Sequence, residues 1–426
     1  MVRRGLAVRI VAGATNLHPP TPSFMMGEGV AEYARTKARQ SDTTKDIRLG
    51  GQPMDDLILD GTKIAWYPER VAAWERGDHI APITIDMALL PRPLCNMNCQ
   101  FCYADHQSNG DYNKRTITWE VIRYFLDDAA EIGVKGISFV SDGESSHSPA
   151  FVPAIHHGHD LGLAMAVGSN SLTITKKVAE QILPCLTYLR VNISAGERER
   201  YAAIMGAKPQ WFDRVCTNIA DMVEIKRRDK LSVTIGLQMV LMPDMADQVS
   251  PLAQLAINLG ADYAVIKHCS DTETKDIGVE YDKYEEIYPL LRQAEAMSTD
   301  DTKIMVKWSK IKEKGTRSYS RCYGPPFILQ ISGSGLVAPC GMLFNEKFKE
   351  GFHIGSIVTQ RFKDIWNSDR YRSVMAHLAS PKFNAKKQCG SLCLQHCTNE
   401  VLDKHVKGTV PFEPKDTPLP AHGAFV

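Results

Sequence analysis

The sequence predicts an α/β fold built on a parallel sheet, and three observations predict it. Short β-type apolar runs alternate with longer amphipathic stretches. Six such pairs follow one another between residues 83 and 297, and 44% of the 426 residues are hydrophobic, enough to bury a large core. The first strand is expected over 83–89. Thr118 suits the cap of a helix running to about Ile132, with Val121, Ile122, Phe125, Ala129 and Ile132 on one face. Strand 136–140 and helix 151–160 follow, then strand 163–167, helix 174–182 and strand 186–193. A long helix spans 211–228, where Val215, Ile219, Met222 and Val223 recur at helical spacing. Strand 231–241, helix 248–259, strand 262–267 and a helix over 281–297 complete the series. Periodicity does not separate an open sheet from a barrel. Either way, chemistry belongs in the loops at the carboxyl ends of the strands.

Before the sheet, residues 60–77 read as a short strand, a break at Pro68 and an amphipathic helix with Val71, Ala72 and Trp74, packed on the main body. After about Val410 the chain is rich in proline and is expected to be extended. Fifty basic and 49 acidic residues leave a net charge of +1, which gives no electrostatic case for nucleic acid or an anionic membrane. The basic run Lys226-Arg227-Arg228 ends a predicted helix, where cations suit the negative end of the dipole. No apolar run reaches membrane-spanning length, and Arg9 interrupts the mildly apolar N-terminal stretch, so neither a span nor a secretory signal is expected. Eight of the eleven cysteines fall in two tight groups, a pattern of metal binding in a reducing compartment, here taken as the cytoplasm.

The first group is Cys95, Cys99 and Cys102, spaced C-x3-C-x2-C directly after the first strand. Three thiolates on a short loop can hold three corners of a cubane iron–sulfur cluster and leave one iron open. A zinc site would call for a fourth ligand nearby, for which His106 is the near candidate. The loop, with the aromatic Phe101 before its third cysteine, resembles the cluster loop of the radical S-adenosylmethionine (SAM) superfamily. That resemblance implies a partial (β/α)6 barrel in which the open iron of a [4Fe–4S] cluster chelates SAM. Reductive cleavage of SAM there gives a 5′-deoxyadenosyl radical that abstracts a substrate hydrogen.

The resemblance extends to other loops. Ser141-Asp142-Gly143-Glu144 after the second strand looks like the family's Gly-Gly-Glu loop, with Asp142 in place of the first glycine, and implies SAM contacts for Gly143 and Glu144. Polar groups at later strand ends imply further contacts from Asn170, Arg190, Ser194 and Gln238. Cys269 and His268 follow the sixth strand and, with Tyr103, are candidates for catalytic or substrate-contacting roles. Asp105, His106 and His147 are candidates for the cavity wall. Cys185 and Cys216 lie in apolar stretches and read as packed thiols.

The second group begins at Cys322. Cys322, Gly335 and Cys340 fit C-x12-G-x4-C, with a hairpin expected between strands 327–331 and 336–338; Cys389, Cys393 and Cys397 fit C-x3-C-x3-C. This segment resembles the SPASM/twitch extension that holds auxiliary [4Fe–4S] clusters. Five cysteines imply one auxiliary cluster, with Cys393 and Cys397 the preferred pair beside Cys322 and Cys340; zinc is the alternative. The organisation expected is an N-terminal extension over 1–82, a radical SAM core over 83–300, an auxiliary-cluster domain over 301–400 and a tail over 401–426. The function implied is hydrogen abstraction from a ribosomally made peptide or, alternatively, from a sugar- or aminocyclitol-type small molecule. A reductant such as flavodoxin or ferredoxin would supply electrons. The competing class is a non-catalytic iron–sulfur or zinc protein.

Overall fold

The computed structural model describes residues 62–107, 116–140, 142–391 and 393–426. Its centre is one ten-stranded sheet: β1 (Thr84–Met87), β2 (Gly136–Phe139), β3 (Ala164–Ser169), β4 (Leu186–Asn192), β5 (Thr234–Leu241), β6 (Tyr263–His268), β7 (Lys303–Val306), β8 (Ile328–Ile331), β9 (Leu336–Ala338) and β10 (Gly355–Ser356). The spatial order is β10-β9-β8-β1-β2-β3-β4-β5-β6-β7. Neighbours from β8 through β1 to β7 are parallel, whereas β9 and β10 add as antiparallel strands. The two edges of the sheet do not pair with each other. The architecture is therefore a partial α/β barrel with a small cysteine-rich domain at its C-terminal side.

The six expected strands are all present, each within a few residues of its predicted place. The expected helix after Thr118 is Trp119–Ile132: the Thr118 side chain accepts from Val121 N–H at 3.4 Å, and Gly133 ends the helix in the left-handed conformation at φ 93°. Helix Phe151–Asp160 matches its predicted bounds, and Pro209–Asp229 extends the long helix at both ends. Alternate strand residues turn outward to these helices, among them Ile85, Met87, Ile137, Phe139, Leu189 and Val191. Their neighbours Asp86, Ser138, Tyr188 and Arg190 line the interior of the barrel.

Residues 62–66 are a 3-10 helix rather than the expected short strand. That turn puts Ile64 and Tyr67, three residues apart, into one cluster with Val71, Ile83, Phe327 and Leu402, where a strand would divide them between two faces. The helix Pro68–Glu75 follows as expected. At the opposite end of the chain, residues 421–426 close the barrel at the amino ends of its strands. Thr84 Oγ donates to the Ala424 carbonyl at 2.7 Å, His422 Nε2 bonds Thr234 Oγ at 2.9 Å, and Phe425 packs edge-on to Tyr188 at 5.0 Å.

The cysteine-rich segment is fastened to the barrel by strand pairing of β8 with β1 and by ion pairs, Lys363 with Glu131 among them and one of them buried. Asp128, fully buried on helix Trp119–Ile132, takes a two-pronged contact from Arg361 and the Lys363 N–H at 3.3 Å. None of the described helices is long and apolar enough to cross a membrane.

Candidate functional site

The cluster loop starts where β1 ends, and Arg92 gives it shape. Its guanidinium donates to the Met97 carbonyl at 3.1 Å, to Asn98 Oδ1 at 2.9 Å and to Asp105, whose second oxygen stands 2.7 Å from Arg92 Nε. A planar fork of this kind fixes several acceptors at once. From the other side, Asn98 N–H and Gln100 N–H donate to the Met205 and Ile204 carbonyls at 3.2 and 3.0 Å. Those carbonyls end helix Arg198–Met205, which has no clear signal in the sequence. Its cap, Gly206, has φ 56°, and a Cβ there would lie 2.2 Å from the Asn98 carbonyl oxygen. These contacts set the path of the loop that carries Cys95, Cys99 and Cys102.

Burial pushes the Cys95 thiol up to about 11 and raises the Cys99 and Cys102 thiols as well, so their thiolates need positive charge close by, which iron would provide. Cys269, also near Cys102, does not face that space. Its thiol is fully buried, is pushed up to about 12 by burial, and donates to the Phe101 carbonyl at 3.7 Å. That contact ties the end of β6 to the cluster loop.

Three further loops meet this one. The Glu144 carboxylate is buried and accepts from Ser146 N–H at 3.0 Å, Ser146 Oγ at 2.6 Å, Ser169 Oγ at 2.7 Å and Asn170 N–H at 2.7 Å. Asn170 Nδ2 then donates to Asn96 Oδ1 of the cluster loop at 2.6 Å. Glu144, Asn170 and the three cysteines therefore form one continuous structure at the carboxyl ends of β1, β2 and β3. Ser194, just past β4, is buried, and its oxygen accepts from Val240 N–H at 3.1 Å. Gln238 sits deeper and donates to Asn192 Oδ1 at 2.8 Å. Arg190 is deeper still, inside the barrel and below this ring.

Asp142, which departs from the resembled pattern, acts structurally: its carboxylate accepts from Gly333 N–H of the β8–β9 turn at 2.7 Å. Among the other candidates, Tyr103 stands within electrostatic reach of both Cys340 and Cys102, and burial raises its phenol strongly. His268 is buried with neither ring nitrogen hydrogen-bonded, and burial holds its pKa well below the usual value. Asp105 is taken up by Arg92, His106 is 3.9 Å from Asp276, and His147 is exposed.

Four cysteines of the second group line one small pocket: Cys322, Cys340, Cys389 and Cys393. Cys397 lies elsewhere, on the wall of the barrel cavity. The structure thus pairs Cys389 with Cys393, where the sequence had favoured Cys393 with Cys397. The reason is local: Gln395 donates to the Ile328 and Pro339 carbonyls at 2.7 and 2.9 Å, and helix His396–Val406 begins there, turning Cys397 away. Asn399 on that helix donates to the sulfurs of Cys393 and Cys322 at 3.4 and 3.6 Å, and Arg317 bonds the Cys389 thiol. Such N–H donors to sulfur are a means of tuning a cluster's potential. Among the described residues, no three His, Cys, Asp or Glu side chains gather around a single-ion position. The four thiols line one pocket, and four thiolates are the donor set of a [4Fe–4S] cluster. Accordingly, Cys393→Ala is expected to remove about four irons per chain, and Cys397→Ala to remove none, by iron and sulfide analysis of anaerobically reconstituted protein. Equal losses from both variants would refute this grouping.

Comparison with known proteins agrees with this layout. A family model described as the radical SAM superfamily matches residues 89–256, and one described as an iron–sulfur cluster-binding domain, SPASM, matches residues 322–398. The chain is 19% identical over 299 residues to the tungsten-containing aldehyde ferredoxin oxidoreductase cofactor-modifying protein of Pyrococcus furiosus, covering 65% of this chain and 79% of that protein. It is 23% identical over 325 residues to the AdoMet-dependent heme synthase of Methanosarcina barkeri, covering 70% and 84%. The fold is similar to that of Streptococcus suis SuiB solved with SAM, with TM-score 0.56 at 14% identity over 82% of this chain and 80% of that one. The first family match brings SAM and a [4Fe–4S] cluster as cofactors, and the second brings auxiliary iron–sulfur. Loop geometry, the two thiol groups and both family models converge on the same segments: residues 89–256 match the radical SAM superfamily and residues 322–398 match the SPASM iron–sulfur domain.

Proposed function

We propose that the protein is an enzyme that removes a hydrogen atom from a small-molecule substrate held inside its barrel. One observation carries the reading: the bonded chain from Glu144 through Asn170 to Asn96 joins the β2 and β3 loops to the three-thiol loop. In this reading Cys95, Cys99 and Cys102 hold the SAM-binding cluster, while Cys322, Cys340, Cys389 and Cys393 hold an auxiliary one. Bound there, SAM and the reduced cluster supply the 5′-deoxyadenosyl radical. The protein's own residues position and enclose. Glu144 is kept in one orientation by four donors, Asn170 ties its loop to the thiols, and Ser194 keeps its hydroxyl proton available for a ligand. Phe101 forms part of the apolar surround, and residues 421–426 block access from the amino ends of the strands. A reductant of the flavodoxin or ferredoxin kind delivers the electron.

The small-molecule class is favoured because the barrel cavity is small, about 180 Å³. The names of both curated relatives also concern cofactors rather than peptides. The peptide reading draws on fold likeness to SuiB solved with its precursor peptide SuiA, TM-score 0.53 at 14% identity. Anaerobic reconstitution followed by dithionite and SAM is the test. Methionine and 5′-deoxyadenosine are expected; a colourless zinc protein that leaves SAM intact overturns the reading.

A further inference from the structure

We propose that the barrel cavity binds an oxyanion group of the substrate, a carboxylate or a phosphate, through Arg190, Lys307 and Lys310. The inference rests on the reading of the barrel as the substrate chamber and names the chemistry that chamber selects.

The first argument is charge. Lys63, Arg190, Lys307 and Lys310 all line the cavity, and Asp86 is the one acidic side chain among the described residues that does so. Asp86 is itself a weak counterweight. Burial pushes its carboxyl up to about 6, and Gln330 Nε2 donates to it at 3.1 Å. Lys267 of β6 also stands close by, and burial and Arg190 together hold its pKa far below the usual value, which favours its neutral amine.

The second argument is satisfaction. The Arg190 Nε is buried and has no hydrogen-bond partner. Among the described residues, the Lys310 ammonium has only the Cys393 carbonyl, at 3.4 Å. Bringing cations this close together inside a protein costs several kcal/mol for each, and the repulsion shows at Lys307, which burial and its neighbour Lys310 push down to about 7. An oxyanion among these groups would offset that cost with charge-assisted hydrogen bonds.

The third argument is place. Arg190 of β4 pairs in register with Gly168, one residue before Ser169, so it sits in the barrel just beneath the Glu144–Asn170 ring. Because Arg190 is this close to the ring, the SAM carboxylate site has to be filled before a second anion is scored. Gln395 and Cys397 of the SPASM domain form part of the same wall, and Gln395 also lines the pocket of the four auxiliary thiols. The substrate group would therefore be held next to the auxiliary cluster.

The test uses anaerobically reconstituted full-length protein with SAM bound, so that the SAM carboxylate site is filled. Inorganic phosphate and succinate are titrated at constant ionic strength, with binding followed by calorimetry and by thermal melting. Wild type is expected to bind at least one of them, and Lys307→Met and Arg190→Gln each to weaken that binding at least tenfold, about 1.4 kcal/mol. Stronger binding of phosphate assigns a phosphoryl group; stronger binding of succinate assigns a carboxylate. Since Lys307→Met removes an uncompensated buried cation, its melting temperature without anion should not fall, which separates lost binding from lost folding. No binding by wild type, or equal binding by wild type and both variants, overturns the proposal. Production of 5′-deoxyadenosine by wild type is scored separately: Lys307-dependent anion binding without it would leave this site standing and remove the radical chemistry.

Discussion

Cys99→Ala is expected to abolish SAM cleavage, taking 5′-deoxyadenosine formation down at least ~10³-fold, more than about 4 kcal/mol, and to lower iron by about four per chain. The expectation rests on what Cys99 does not do. The loop is shaped by the Arg92 fork and by the backbone bonds of Asn98 and Gln100 to Met205 and Ile204. None of these uses the Cys99 sulfur, which touches Met205 Sδ at 4.0 Å. Alanine therefore leaves the loop folded and removes only a sulfur ligand. Cys216→Ala serves as the control, since Cys216 is a buried thiol on the long helix Pro209–Asp229, far along the chain from either group. Iron analysis, electron paramagnetic resonance of the reduced protein and product assay read the effect. Should Cys99→Ala keep its iron and its 5′-deoxyadenosine yield within twofold of wild type, the assignment of this loop is wrong.

What the sequence revealed and what it hid follow from the range of the interactions. Helix Trp119–Ile132 was legible because its determinants are local: a threonine cap, an apolar stripe and a glycine stop. The cysteine loop was legible for the same reason, its ligands lying within eight residues. Strand β7 was not, because Lys303-Ile304-Met305-Val306 is four residues long and starts with a charge, too short to show alternation. Pairing of β8 with β1 was also hidden. The hairpin that contains β8 is a local signal, but Asp86 meets Gln330 across 244 residues, and no local pattern encodes that partner. The spacing C-x3-C-x3-C is symmetric about Cys393, so it does not choose between Cys389 and Cys397; the start of a helix at His396 does. Arg92 looked like an ordinary basic residue, and Arg190 was read only as a SAM contact at a strand end. Only the fold shows one organising the cluster loop and the other stranded inside the barrel.

The structural change with the largest expected effect is Gly333→Ala. A Cβ at Gly333 would lie 1.9 Å from the Leu90 carbonyl oxygen, and one at Gly143 would lie the same distance from the same atom. Leu90 is thus gripped from two sides, by the β2 loop and by the β8–β9 turn, and Asp142 closes the grip by accepting from Gly333 N–H at 2.7 Å. Because the obstacle is backbone, no side chain can swing away, so either Leu90 or the turn must move. Overpacking of this kind is expected to cost ~3 kcal/mol or more. Leu90 lies five residues before Cys95, so movement there also displaces the thiols, and a shift of about 1 Å in a reacting group is enough to lower rates a hundredfold. Gly333→Ala should therefore melt at lower urea, retain less iron and form less 5′-deoxyadenosine, all in one substitution. Gly351→Ala is the matched control, since nothing lies within 4 Å of a Cβ there. Asp142→Ala should show a milder version, about 1–3 kcal/mol, from the buried N–H it leaves without an acceptor. If Gly333→Ala unfolds at the same urea concentration as wild type with its iron intact, the barrel and the SPASM domain are not locked together through Leu90, and the auxiliary cluster is positioned by the remaining contacts, β8 pairing and the Arg361–Asp128 and Lys363–Glu131 bridges among them.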